Sequence, residues 1–174
     1  MRDSMEAPSD ELDQLLETAA RWQAGGHRLA IATVIETWGS APRRVGSHML
    51  VRADGAFEGS VSGGCVEGDV IVQATEVIAS GETRRLEYGV TQGEAWQVGL
   101  PCGGNIAILV QPVSEAGFPP ARFAEIAAAR ARGERLAITT ELAGGPFVRH
   151  YDPPLRLAIV GAVHIAQALV AMAT

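Results

Sequence analysis

Two apolar runs constrain the fold of this 174-residue sequence more than any other feature: RLAIATVIET at residues 28–37 and GNIAILVQPV at residues 104–113. Both runs are rich in β-branched residues, which favour strands. Their apolar residues follow one another too continuously for a strand that has one face in water. The sequence therefore predicts a buried strand at each of these two places.

The rest of the first 151 residues alternates helical and strand patterns. Apolar residues recur at helical spacing in three segments, and short β-rich segments are separated by turn residues such as Asp54-Gly55, a hairpin signal. The expected fold class is α+β, with an N-terminal mixed α/β domain at residues 1–151. The predicted elements are helices at residues 9–24, 66–81 and 119–132, and strands on either side of Asp54-Gly55 and at residues 83–89, 134–141 and 146–151.

Asp152-Pro153-Pro154 is the clearest boundary in the chain, because paired prolines interrupt regular structure. The tract that follows, Leu157 to Ala173, is about the minimum length for a membrane span, but Gly161 and His164 interrupt it. A buried strand, a turn and a helix fit this tract better. Residues 152–174 are therefore predicted to form the first strand and helix of a second domain.

The charge balance bears on partners and location. Fourteen Lys and Arg residues against 20 Asp and Glu residues give a net charge of −6, which argues against nucleic acid as the main partner. The N-terminal stretch MRDSMEAPSDELDQ lacks the basic and apolar regions of a signal peptide. Two cysteines make no disulfide framework. We expect a reduced, cytoplasmic protein without membrane association.

Both cysteines stand beside glycines, in SVSGGCVEGD at residues 60–69 and in GLPCGG at residues 99–104. Glycines allow backbone N–H groups to converge into a nest, and a helix N-terminus adds partial positive charge, so the first motif favours an anion such as phosphate. The same field favours the thiolate of Cys65. Cys65 is therefore predicted to be a reactive or ligating thiol beside a phosphate site, and Cys102 could face the same cleft.

The cysteines, the arginine pair and Glu67 are also compatible with purely structural roles. Either cysteine could be a small buried hydrophobic residue, whereas a zinc site or a redox pair lacks the usual CxxC spacing. The adjacent Arg43 and Arg44 could supply charge to a bound phosphate or form a solvated loop pair. Glu67 could be a first-turn helix acid or a polar ligand contact.

The paired motifs carry a resemblance to a known family. GSAPRRVGSHMLVRADGAFEGSVSGGCVEGDV, followed by GLPCGGNIAILVQP, resembles the N-terminal domain of the XdhC/CoxI family over roughly residues 12–113. Members are accessory factors for molybdenum hydroxylases such as xanthine dehydrogenase and aerobic carbon monoxide dehydrogenase. The resemblance implies a maturation chaperone, rather than a turnover enzyme, that carries the molybdenum cofactor as molybdopterin or its cytosine dinucleotide form. It also implies two partners, a cysteine desulfurase that supplies sulfide and the hydroxylase apoenzyme that receives the cofactor.

Carried onto this chain, the resemblance assigns cofactor binding to both motifs and to one basic loop position. Cys65 and Cys102 are then expected to carry the chemistry, as metal-proximal or sulfur-handling thiols, and no metal ion of the protein's own is expected. The residues expected to bind the cofactor are Arg43, Ser62, Gly63, Gly64, Cys65, Glu67, Cys102, Gly103 and Gly104. A thiol-dependent sulfurtransferase acting through Cys65, and a degenerate interaction module without cofactor, are the alternatives.

The family follows this domain with a Rossmann-like one, and here the sequence departs from the family pattern. The family turn is close to GAGH, whereas this chain has GAVH, with Val163 in the glycine position. Valine blocks the close approach of a pyrophosphate to the backbone, so NAD binding is not expected. The apolar strand and helix need a partner surface, and self-association into a homodimer or larger assembly is predicted.

Overall fold

The computed structural model describes residues 11–89, 104–154, 158–161 and 163–173. Runs of two or three strands are separated by single helices along the chain, and the predicted α+β class is confirmed. The elements are α1 (Glu11–Ala24), β1 (Leu29–Trp38), β2 (His48–Arg52), β3 (Phe57–Gly59), α2 (Glu67–Ser80), β4 (Arg84–Tyr88), β5 (Asn105–Pro112), α3 (Ala121–Ala131), β6 (Leu136–Leu142), β7 (Gly145–Tyr151) and α4 (His164–Ala173).

The two apolar runs form buried strands, as their composition predicts, and they are inner neighbours in one sheet. The sheet has five strands in the order β3-β2-β1-β5-β4, and every neighbouring pair is antiparallel. A bulge between Val34 and Glu36 shifts the pairing of β1 with β5 near the end of β1. The predicted hairpin around Asp54-Gly55 is formed by β2 and β3.

Both faces of this sheet are covered, which explains why β1 is apolar at successive residues. Ala30, Ala32 and Val34 belong to a buried cluster with α2. Leu29 and Ile31 point to the other face, where they join the apolar residues of α1 and α3. Burial of each large aliphatic side chain contributes about 1.5–3 kcal/mol, so the two clusters hold the three layers together.

A hairpin of β6 and β7 completes the second face. Leu142 and Phe147 of this hairpin pack on a small cluster that includes Leu109 of β5. Tyr151, at the end of β7, lies with its hydroxyl 3.0 Å from Nε2 of buried His48, and Nδ1 of His48 lies 2.9 Å from the hydroxyl of Thr33. This buried polar chain joins the hairpin to the centre of the sheet.

The burial of His48 makes stability depend on pH. Burial, and then the charge of Arg149, lower the pKa of His48 from 6.5 to about 3. When the pH is lowered from 6.5 towards 3, His48 takes up a proton in the unfolded chain but not in the folded protein. The free energy of unfolding therefore falls by about 1.4 kcal/mol for each unit by which the pH is lowered in this range. We expect the free energy of unfolding to be about 2 kcal/mol lower at about pH 5 than at about pH 7, as measured by urea titration.

The variant His48→Asn is the control for this pH dependence. It should be less stable at both pH values and should lose most of the difference between them. Glu67 does not interfere, because its lowered pKa of about 2 affects stability only below its ordinary value of 4.5. An unchanged pH difference in His48→Asn would contradict the assignment.

The C-terminal segment departs from the expectation of a buried strand. Residues 158–160 lie outside any strand, and Val160 is fully exposed, whereas residues 155–157 lie outside the described part. A strand needs a partner for its backbone N–H and C=O groups, and neither described sheet offers one to these residues. The predicted helix is present as α4, with Ile165 and Met172 exposed.

Among the described helices, none combines the length and the apolar character needed to cross a membrane.

Candidate functional site

The strand register brings the motif segments to one end of the five-stranded sheet. Trp38, the last residue of β1, pairs with Asn105, the first residue of β5. Gly59, the last residue of β3, pairs with Met49 near the start of β2. The loop at residues 39–47, the loop at residues 60–66 and the start of β5 therefore lie together at this end.

Glu67 organises the loop at residues 60–66. Its Oε1 atom accepts hydrogen bonds from the Ser60 hydroxyl at 2.6 Å and from the backbone N–H groups of Val61 at 3.2 Å and Ser62 at 2.8 Å. Its Oε2 atom accepts from the Ser62 hydroxyl and from the Gly64 N–H at 2.8 Å. Burial raises the pKa of Glu67, but the hydrogen bonds from Ser60 and Ser62 outweigh burial and hold that pKa at about 2. The buried carboxylate is therefore ionised.

The two serine hydroxyls accept hydrogen bonds as well as donate them. The Ser60 hydroxyl accepts from the Gly63 N–H at 2.9 Å, and the Ser62 hydroxyl accepts from the Val66 N–H at 2.9 Å. The converging N–H groups of this motif are therefore bound by the protein's own carboxylate and hydroxyls. This corrects the expectation that they form an open phosphate nest, because Glu67 lies where the phosphate was expected.

Burial divides the predicted binding residues of this motif into two groups. Ser62 and Glu67 are buried, whereas Gly63, Gly64 and Cys65 form an exposed tip between them. Glu67 is thus a loop-organising residue, and its carboxylate accepts hydrogen bonds from the loop itself. A role in direct binding stays a prediction for the exposed tip.

Cys65 lies at this tip, two residues before the first residue of α2, and its thiol is free. The alternative that Cys65 is a small buried hydrophobic residue is therefore wrong. The helix brings no side-chain cap of its own, because Val66 occupies the cap position. The loop presents the thiol to solvent just ahead of the helix N-terminus.

The second motif is described only at its last residue, since Cys102 and Gly103 lie outside the described residues. Gly104 is buried against the loop at residues 39–47: a Cβ there would lie 2.9 Å from the backbone N of Ala41. A Cβ on Gly63 would lie 3.8 Å from Cβ of Pro42 in the same loop. Both motifs thus border residues 40–42, and a meeting of Cys102 with Cys65 stays a prediction.

The predicted basic residue Arg43 is engaged within the protein. Its guanidinium forms a two-pronged ion pair with Glu11 at the start of α1, with Nη1 donating to Oε2 at 3.0 Å. Its Nε is buried without a partner among the described residues. Arg43 therefore ties the loop to α1, and its charge is largely neutralised there. The neighbouring Arg44 is exposed.

A contact between Tyr88 and Asp69 lies at the same end of the sheet, and no sequence motif indicates it. The Tyr88 hydroxyl, at the end of β4, donates to Asp69 Oδ2 at 2.6 Å. Burial and the Asp69 carboxylate raise the pKa of Tyr88 above its ordinary range. This bond fixes the first turn of α2 to the sheet. The two residues are 19 positions apart and carry no shared motif, so only the fold reveals the pair.

Metal-ligating residues are not clustered in the described part of the chain: no group of three or more His, Cys, Asp and Glu side chains lies close enough there to hold an ion. The exposed thiol of Cys65 is a soft ligand at the tip of this loop.

Comparison with known proteins finds one matching family model and curated relatives that are similar to this chain. Residues 22–89, which include the loop of Cys65, match the model of the XdhC and CoxI family. The molybdenum cofactor insertion chaperone PaoD of Escherichia coli is 36% identical over 109 residues, which are 62% of this chain and 34% of PaoD. A protein of Bacillus subtilis named as a probable xanthine dehydrogenase subunit is 28% identical over 106 residues, which are 60% of this chain and 30% of that protein.

The fold is also found in a solved structure. A crystal structure of a xanthine dehydrogenase from Bacillus halodurans superposes with a TM-score of 0.63 and 24% identity, covering 91% of this chain and 47% of that one. At this identity the likeness concerns the fold alone. The chain spans 34% and 30% of the length of the two curated relatives. The matched family model and these relatives support the resemblance of this chain to the XdhC and CoxI family.

Proposed function

We propose that this protein carries the molybdenum cofactor and holds it at the exposed tip of residues 63–65 during maturation of a molybdenum hydroxylase. The observation that carries the proposal is Cys65, an exposed thiol on a loop fixed from inside by Glu67. The name of the Escherichia coli relative, a molybdenum cofactor insertion chaperone, supports the same role.

The chemistry of the tip suits such a cargo. Thiolates are soft ligands that match molybdenum and sulfur. Gly63 and Gly64 leave the tip without side chains next to the thiol, so a bulky ligand can approach closely. The backbone N–H groups of Val61, Ser62 and Gly64 already donate to Glu67. In this proposal the cofactor's phosphate accepts hydrogen bonds from other groups. Cys102, Gly103 and Gly104 are proposed to complete the site from the second motif.

We assign the finer steps of maturation to the same site. The cofactor, as molybdopterin or its cytosine dinucleotide form, is held while a cysteine desulfurase supplies sulfide, and is then passed to a hydroxylase apoenzyme. The cytoplasm, where thiols stay reduced, is the compartment that fits an exposed free cysteine.

Self-association through α4 is proposed from the exposure of Ile165 and Met172. A monodisperse monomer in sedimentation would contradict it.

A second candidate function rests on the same exposure. A persulfide carrier also needs an accessible thiol, and Cys65 meets that need. The two functions differ in what the protein accepts from a cysteine desulfurase in the absence of cofactor. A mass increase of one sulfur atom on Cys65 under those conditions favours the persulfide carrier, whereas an unmodified Cys65 favours the cofactor carrier.

An anaerobic titration of the purified cofactor tests the carrier function. Wild type should bind saturably, and Cys65→Ser should weaken binding by about tenfold or more, as expected for the loss of one metal–thiol contact. Cys102→Ser tests the second motif in the same way. Arg122→Gln is the control, because Arg122 lies on α3 in an exposed ion pair with Glu125. Equal affinities of wild type and Cys65→Ser would contradict the proposal.

A further inference from the structure

A cleft of about 480 Å³ lies beside the loop at residues 39–47, against α1 rather than α2. Its walls are the start of α1, residues 44–48, Arg130 of α3, the end of β7 and residues 152–154. Cys65 does not line this cleft. The volume lies in the range of small-molecule sites, about 300–1,000 Å³. The cleft is therefore a separate candidate site within the same domain.

Three arginines line the cleft: Arg44, Arg130 and Arg149. Arg130 is buried and paired with Asp13, with Nε donating to Oδ1 at 2.8 Å. Arg149 donates from Nε to the carbonyl of Gly46 at 3.0 Å and from Nη1 to the carbonyl of His150. These carbonyls hold the guanidinium in place without neutralising its charge.

Two of these arginines have no acidic partner within the described residues. Arg149 forms no ion pair there, and its Nη2 forms no hydrogen bond. Arg44 is exposed and likewise lacks a carboxylate partner among these residues. Uncompensated guanidinium groups in a concave surface attract anions, and their paired N–H donors fit phosphate oxygens.

The acidic residues in the walls do not cancel this charge. Glu11 is held by Arg43, and Asp152 is held by Arg135. Both partner arginines lie outside the lining of the cleft. The surroundings of the cleft thus hold five arginines and three carboxylates, in a protein whose net charge is −6. An excess of positive charge in an acidic protein is a local feature that favours an anionic ligand.

The cleft also has an apolar part. Leu12, Val45 and the paired prolines Pro153 and Pro154 line it beside the arginines. Val45 is exposed. An inorganic anion would leave these side chains without contacts, whereas a ligand with an anionic end and a flat organic body would cover them. The lining therefore favours an organic anion.

We propose that this cleft binds an organic phosphate of nucleoside monophosphate size, with the phosphate between Arg44 and Arg149 and the organic part against Val45 and Pro153-Pro154. The site does not depend on Cys65 or on the molybdenum cofactor. It gives the domain a second ligand position on the other side of the loop at residues 39–47.

Calorimetric titration with CMP, cytidine and inorganic phosphate tests this site, with cytidine and phosphate separating the two halves of the ligand. CMP should bind more tightly than either. Arg44→Gln, at an exposed residue without a carboxylate partner to lose, should weaken CMP binding by about tenfold, since a charged hydrogen bond to phosphate is lost. Arg149→Gln should weaken it further, with folding checked by thermal unfolding because Arg149 also supports the loop.

Two controls make the outcome decisive. Arg122→Gln removes an arginine outside the cleft lining and should bind CMP like wild type. Cys65→Ser should also bind CMP like wild type, so failure of the carrier function leaves this proposal standing. The absence of CMP binding by wild type, equal losses in Arg44→Gln and Arg122→Gln, or phosphate binding as tight as that of CMP would each overturn the proposal.

Discussion

Replacing Glu67 by glutamine should destabilise the protein by about 3 kcal/mol and release the loop at residues 60–66. The carboxylate accepts five hydrogen bonds, from two hydroxyls and three backbone N–H groups. Glutamine has one acceptor oxygen, and its amide group would face the Gly64 N–H or the opposite donors. Buried donors left without acceptors cost the full desolvation of each group, so the loss exceeds that of a surface charge.

Urea unfolding at neutral pH measures this loss, and Glu76→Gln is the matched control. Glu76 lies on the same helix, where its exposed carboxylate pairs with Arg84. Its loss should cost less than about 1 kcal/mol. A similar cost for both variants would mean that the carboxylate of Glu67 does not organise the loop.

Replacing Gly59 by alanine should cost about 3 kcal/mol, because two separate penalties add at this residue. Gly59 has φ +83°, a conformation that alanine rarely adopts, and a Cβ there would lie 2.5 Å from the carbonyl oxygen of His48. That carbonyl also accepts the N–H of Ser60, the first residue of the loop. The clash would therefore shift the pairing of β2 with β3 and move the loop that carries Cys65.

Gly81→Ala separates the two penalties at Gly59. Gly81 follows α2 with φ +76°, but a Cβ there meets no atom within 4 Å. Its replacement should cost about 1 kcal/mol, the penalty of the conformation alone. Thermal unfolding of both variants provides the comparison. Equal decreases in Tm for Gly59→Ala and Gly81→Ala would show that the clash with His48 adds no cost.

The fold was predictable from the sequence wherever a local pattern decided the structure. The continuous apolar runs of β1 and β5 indicated strands covered on both faces, and Gly81 marked the end of α2. The order of the strands was not predictable, because β1 pairs with β2 and with the distant β5 through packing that no local pattern records. The apolar residues 158–160 suggested a strand, but a strand also requires a neighbour, and the sequence does not supply that information.

The loop of residues 60–66 ahead of α2 was predictable from the sequence, but the hydrogen bonding inside it was not. Glycines, serines and a helix start indicated a nest of N–H groups, and such a nest forms. A carboxylate and a phosphate both accept hydrogen bonds from such N–H groups. The motif alone therefore does not determine whether the acceptor is an external anion or the side chain of Glu67. The pair of Arg43 with Glu11 joins residues 32 positions apart and depends on the placement of α1. Exposure of Cys65 likewise follows from the tertiary fold.

Alkylation of Cys65 with and without cofactor tests the central claim most directly. Cys65 is exposed, so iodoacetamide should label it readily in the free protein, as followed by mass spectrometry. A bound cofactor at residues 63–65 should slow this labelling by about tenfold or more, as expected when the thiol is covered or coordinated. Unchanged labelling of Cys65, in protein that retains stoichiometric cofactor, would place the cofactor elsewhere and contradict the account.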